Sequence, residues 1–123
     1  MRKNIVFDFD GVIHKYSKGW QDGSIYDEPV EGIAQVINAL HNKYDIYIVT
    51  TRARDLKQQA EVENYLKDHN IEFDCVTSIK VPADVYIDDR AICFDPTKLD
   101  TLIDQIENFT PWNKKEEIKN PLF

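Results

Sequence analysis

Three apolar residues run into two carboxylates spaced one residue apart, and then a glycine: Ile5-Val6-Phe7-Asp8-Phe9-Asp10-Gly11. No other stretch constrains the fold as much. An apolar run of this length, bounded by a turn signal, reads as a buried strand. Residues i and i+2 of a strand share a face. Asp8 and Asp10 therefore share a side if the strand continues, and both occupy the loop past its carboxyl end if it stops. Two acids together at the end of a buried strand repel one another and are costly to desolvate. A solvated Asp-Gly turn accommodates them; a divalent cation, or a proton shared in catalysis, gives them a use.

The remaining chain alternates strand and helix patterns. Residues 3–9 are the first predicted strand. Residues 12–28 carry turn signals at Gly19 and Asp22-Gly23 and read as a loop or small irregular hairpin, a place where function concentrates. Pro29 suits the first turn of a helix, and Val30, Ile33, Ala34, Val36, Ile37 and Leu40 carry an apolar period to His41. Asp45–Thr50 is a second strand, followed by Thr51 and Arg52. Residues 53–68 form a second amphipathic helix, and Phe73–Val76 a short third strand. Thr77–Ala83 is a loop holding Lys80 and Pro82. Val85–Ile87 is a fourth strand running into Asp88-Asp89, and Ala91–Phe94 a short fifth. Asp95-Pro96 is a cap-plus-first-turn pair for a last helix over about 97–108. Residues 109–123 form a tail with two prolines and a charge cluster, expected to pack Phe109 and Trp112 on the body and then fray.

This order predicts an α/β, three-layer, Rossmann-like fold with a mainly parallel sheet of about five strands and helices on both faces. With 123 residues, a single domain over 1–123 is expected. Ligands of such sheets bind at the carboxyl ends of the strands. Asp8/Asp10, Thr50/Thr51/Arg52 and Asp88/Asp89 all follow apolar runs, and Lys80 shortly precedes the last. Parallel strands point one way, so these groups converge on one edge.

Composition narrows the function classes. The chain is 42% hydrophobic and 30% charged, as in a soluble globular protein. It has no apolar run long enough for a membrane span and no signal-peptide core. Cys75 and Cys93 read as reduced core thiols, which points to the cytoplasm. A net charge of −7 argues against a general nucleic-acid-binding surface. It leaves room for phosphorylated ligands, because a metal supplies positive charge locally. No Cys/His set has zinc spacing, and His41 and His69 sit near helix ends, where they interact with the helix terminus. An acid cluster with oxygen-only neighbours suits Mg²⁺. Lys80 and Thr50 then form a phosphate cradle. One aspartate is placed to attack phosphorus, and the other to move protons.

Four segments in order resemble the motifs of the haloacid dehalogenase (HAD) superfamily of aspartate-nucleophile phosphohydrolases. These are Asp8-Phe9-Asp10-Gly11, Ile46-Tyr47-Ile48-Val49-Thr50, Lys80, and Val85-Tyr86-Ile87-Asp88-Asp89. The resemblance covers residues 5–89. It implies a Mg²⁺-dependent phosphomonoester hydrolase working through an aspartyl-phosphate. Asp8 is then nucleophile and metal ligand, and Asp10 the general acid/base with its carbonyl on the metal. Thr50 and Lys80 contact phosphate, with Thr51 the alternative hydroxyl. Asp88 and Asp89 bind metal, Asp88 favoured as the direct ligand.

The sequence departs from the family where Gly11-Val12-Ile13-His14 replaces the usual Gly-Thr-Leu, which leaves the substrate class open. His14, Lys15, Tyr16, Lys18 and Trp20 fall in the equivalent of the family's flap, where each either touches substrate or packs the loop on the body. Arg52, Arg54 and Arg90 either recognise further phosphates or pair with the chain's acids. The segments of about 17 and 29 residues where the family inserts caps are too short for a separate domain. The site is expected to be capless and open unless the flap or another subunit of a homo-oligomer covers it. An open site admits a bulky substrate such as a nucleotide, a phosphorylated polymer end or a phosphoprotein, and the expected substrate is a nucleotide, a sugar phosphate or a phosphorylated polynucleotide end. The alternatives are a non-catalytic HAD-like binding or scaffold protein, or a phosphotransferase. A response-regulator receiver domain is disfavoured, because here the Asp-Asp pair comes last.

Overall fold

The computed structural model describes residues 2–114. They divide into two compact units that meet in the chain between Asp88 and Asp89. The first contains β1 (Asn4–Asp8), α1 (Ile33–His41), β2 (Asp45–Val49), a 3-10 turn (Thr51–Arg54), α2 (Leu56–Asp68), β3 (Cys75–Thr77) and β4 (Val85–Ile87). The strands form one four-stranded sheet in the order β3-β2-β1-β4. Every pairing is parallel, with Phe7 opposite both Ile48 and Ile87.

Strand alternation decides the core. Ile5 and Phe7 of β1, Ile46 and Ile48 of β2, and Val76 of β3 pack against Ile37 of α1 and Val62, Tyr65 and Leu66 of α2. In the first unit both helices therefore cover one face of the sheet, where the sequence suggested helices on both. The cause is topological. β1→β2→β3 steps twice in one direction, and right-handed crossovers put both helices on the same side. The return from β3 to β4 has no helix. In the connecting segment the Tyr86 hydroxyl donates to the Val81 carbonyl and Asn4 Nδ2 donates to the Pro82 carbonyl at 3.3 Å, both from side chains of the opposite strand parity to the core.

Two other element boundaries differ from the sequence reading. The first helix begins at Ile33, not at Pro29, because Gly32 holds φ 86, outside the helical region. Pro29 instead bridges His14, and Val30 N–H donates to the Ile13 carbonyl at 2.8 Å, closing the base of the loop over residues 15–28. Asp55 caps α2 by accepting from Gln58 N–H at 3.2 Å.

The second unit begins at Asp89. Residues 91–94 form no strand, so among the described residues the sheet has four strands and not about five. Cys93 is exposed and Cys75 partly buried, so Cys93 is not the core thiol expected. Asp95 does cap the following turn, accepting from Thr97 N–H at 2.9 Å, with Pro96 in its first turn. The expected single helix is a 3-10 segment (Pro96–Thr101) followed by α3 (Leu102–Glu107), because Lys98 takes a non-helical φ of −128. Trp112 begins a short 3-10 turn, Trp112–Lys114, and both it and Phe109 are exposed. The rest of the expected tail lies outside the described residues. Among the described residues, no helix is long and apolar enough to cross a membrane.

Candidate functional site

β1 delivers Asp8 to the carboxyl edge of the sheet, and the adjacent β4 delivers Asp88 just past its own end. Asp8 and Asp88 each offer a carboxylate oxygen, and the two lie within 4.8 Å of one another although 80 residues separate them in the chain. Asp8 also accepts from Phe9 N–H at 2.9 Å, which orients its carboxylate. Asp89 follows Asp88 directly and belongs to the second unit, where its carboxylate lies 4.0 Å from Arg90 Nε.

Lys80 stands on the connector that the Asn4 and Tyr86 side chains bond. Asp8 has the same strand parity as Asn4 and belongs to its face. The Lys80 ammonium lies 5.5 Å from the Tyr86 ring centre; Tyr86 is in register with Val6, two residues before Asp8. Thr50, at the end of β2, is buried. Its hydroxyl accepts from Arg52 N–H at 3.2 Å and keeps its own proton to donate. Thr51 is exposed. The two hydroxyls thus differ sharply in access.

After Asp8 the chain turns tightly. The Phe9 carbonyl accepts from Ile13 N–H at 2.9 Å and from His14 N–H at 3.0 Å, while Gly11 takes φ 86. The turn buries Phe9, Val12, Ile13 and His14 and folds the imidazole back under Asp10. His14 Nε2 accepts from Asp27 N–H at 3.1 Å, so the ring proton sits on Nδ1 and is donated to Asp10 Oδ1 at 2.8 Å. Arg52 Nε donates to Asp10 Oδ2 at 2.8 Å, and its Nη1 donates to the Gly23 carbonyl at 2.7 Å. The guanidinium lies 5.9 and 5.1 Å from the ring centres of Phe9 and Trp20.

Burial pushes the Asp10 pKa up, but the hydrogen bonds from His14 and Arg52, with the Arg52 charge, outweigh it and hold the carboxyl below the usual range. His14 and Arg52, expected as substrate contacts, are buried, and both imidazole nitrogens and the Arg52 Nε and Nη1 bond Asp10 and the loop. Sequence reasoning missed this trio. The spacing of Asp10 and His14 held a hint, but only the turn through Gly11 makes them meet.

The oxygen-only pair Asp8/Asp88, part-buried and exposed, fits a hard divalent cation. No protein-family model, curated protein or solved structure matches this chain.

Proposed function

We propose that the chain is a HAD-like, Mg²⁺-dependent phosphomonoester hydrolase. The observation that carries this reading is the approach of Asp8 and Asp88 within 4.8 Å at the carboxyl edge of adjacent parallel strands. Asp8 and Asp88 would hold the metal, with Asp89 adjoining. When bound, the ion would neutralise the phosphoryl oxygens and align them.

The chain's own groups do the rest. Asp8 attacks phosphorus, the P–O bond to the leaving alkoxide breaks, and an aspartyl-phosphate forms. Asp10 gives its proton to the alkoxide, then takes one from the water that releases phosphate and restores Asp8. The cycle begins with the proton on Asp10. His14 and Arg52 oppose that protonation, while the negative charge of a bound phosphate favours it. Lys80 and a Thr50 or Thr51 hydroxyl steady the phosphoryl oxygens.

Turnover of p-nitrophenyl phosphate with and without Mg²⁺ tests the reading. Metal-dependent release by the wild type and none by Asp8→Asn is expected. A specific observation favours a second reading, a non-catalytic binding protein: both Asp10 oxygens are already engaged. A folded wild type that turns over no phosphate ester with Mg²⁺ would select that reading.

A further inference from the structure

We propose that the loop over residues 15–28 is a platform on which the base of a mononucleotide stacks against Trp20. The placement of the nucleotide's phosphate at Asp8 rests on the phosphatase reading; the platform itself does not.

Lys18, Trp20, Gln21, Asp22, Ser24 and Tyr26 line an open hollow of about 530 Å³. Trp20 is 55% exposed, although it is among the largest apolar side chains in the loop. It nevertheless has packing neighbours. The Arg52 guanidinium lies 5.1 Å from its ring centre. The backbone of Gly23 lies beside the ring, where a Cβ would meet the indole at 3.6 Å, an ordinary van der Waals contact. Arg52 does not line the hollow. The indole is therefore backed by a buried cation and still presents a large surface to solvent, the arrangement of a stacking platform.

The loop that holds it is already ordered. The Tyr26 hydroxyl accepts from Lys18 N–H and donates to the Gly19 carbonyl, each at 2.8 Å. Gln21 Nε2 donates to the Lys18 carbonyl at 2.8 Å, and Ser24 N–H donates to Asp22 Oδ1 at 3.0 Å. Asp27 Oδ2 accepts from both the backbone and the hydroxyl of Ser17. A ligand entering here does not bear the cost of ordering the loop.

The ligand class follows from the lining. Lys18 and Asp22 cancel in charge, so the hollow suits a neutral, flat, polar-edged group better than a phosphate. Asp22 is an acceptor-only carboxylate, which favours a base carrying an exocyclic amine. The guanidinium that backs the indole also bonds Asp10, two residues past Asp8, which ties the platform to the turn that follows the proposed phosphate site. The chain's net charge of −7 disfavours tracking a long polyanion, which selects a free nucleotide over a strand end.

The test has two independent arms. In the first, Trp112→Phe leaves Trp20 as the fluorophore of the full-length chain, and adenosine and ribose are titrated without metal. Quenching by adenosine and none by ribose is expected. By calorimetry, Trp20→Ala should bind adenosine about tenfold more weakly, and Trp20→Phe should recover most of that loss. In the second arm, kcat/KM with Mg²⁺ should favour AMP over ribose 5-phosphate by about tenfold, and AMP over a 5′-phosphorylated trinucleotide. Adenosine-specific quenching without turnover of either ester would keep the platform and sink the phosphatase reading. Turnover without a difference between adenosine and ribose, or undiminished adenosine binding by folded Trp20→Ala, would overturn the platform. Preference for the trinucleotide would overturn the mononucleotide assignment.

Discussion

Arg52 donates from Nε to Asp10 Oδ2 at 2.8 Å, with its side chain only 2% exposed and that of Asp10 19%. The pair joins the end of β2 to the turn after β1, and the second donor of Arg52 ties both to the loop at Gly23. Removing one partner of a buried pair leaves the other charge uncompensated. Arg52→Ala should cost about 3 kcal/mol of stability, read by urea denaturation. Arg52→Lys should recover only part of it, because a single ammonium does not reproduce the fork that serves two acceptors at once. A loss of a few tenths of a kcal/mol for Arg52→Ala would mean the pair is solvated in solution.

The Asp8–Asp88 pair predicts a stability response to metal. Mg²⁺ at about 100 times its Kd should stabilise the wild type by about 2.7 kcal/mol, through binding to the folded state alone. The rise in Tm should vanish in Asp8→Asn and Asp88→Asn. Equal Mg²⁺ responses in all three proteins would remove these carboxylates from the metal site.

Lys80 is exposed, so Lys80→Ala should leave the Tm nearly unchanged. Under the phosphatase reading it should lower kcat about 10²-fold, the scale for losing one preorganised donor to developing charge. A kcat within twofold of wild type would exclude Lys80 from the cradle.

His41, at the end of α1, predicts a pH dependence. Its Nε2 lies 3.2 Å from Asp74 Oδ1 and its Nδ1 2.9 Å from Glu72 Oε2, while Arg2 Nη2 donates to its backbone carbonyl. The hydrogen bond to Asp74, helped by Glu72, raises the imidazole pKa against a smaller opposing effect of burial. The folded state therefore holds the proton more tightly than the unfolded chain. That stabilisation is complete below the unfolded value of about 6.5 and is lost as pH rises through the higher folded value. His41→Gln should flatten the fall in Tm over that window. An unchanged slope in the variant would show that His41 does not contribute.

The strands were the most legible part of the chain. Ile5–Phe7, Ile46–Val49 and Val85–Ile87 are short apolar runs between turn signals, and all three lie in strands. Ala91–Phe94 has a similar composition and forms no strand, because a strand also needs a neighbour to pair with and local pattern does not provide one. The helix expected from Pro29 starts late because one glycine at positive φ outweighs the apolar period around it. Convergence of Asp8 and Asp88 was readable because parallel strands share a direction. The ties of His14 and Arg52 to Asp10 were not readable, since they depend on a turn and a loop closure that no periodicity encodes.

What the sequence determined by itself was the alternation of strands and helices, and hence which acids stand at the carboxyl ends of strands. Those properties follow from local burial patterns of period 2 and 3.6. Tertiary structure alone decided that α1 and α2 share one face, that Asp10 is held between a histidine and a buried arginine, and that Trp20 is backed by that arginine yet exposed. Each of these depends on contacts between residues distant in the chain, whose energy exists only once the backbone has closed around them.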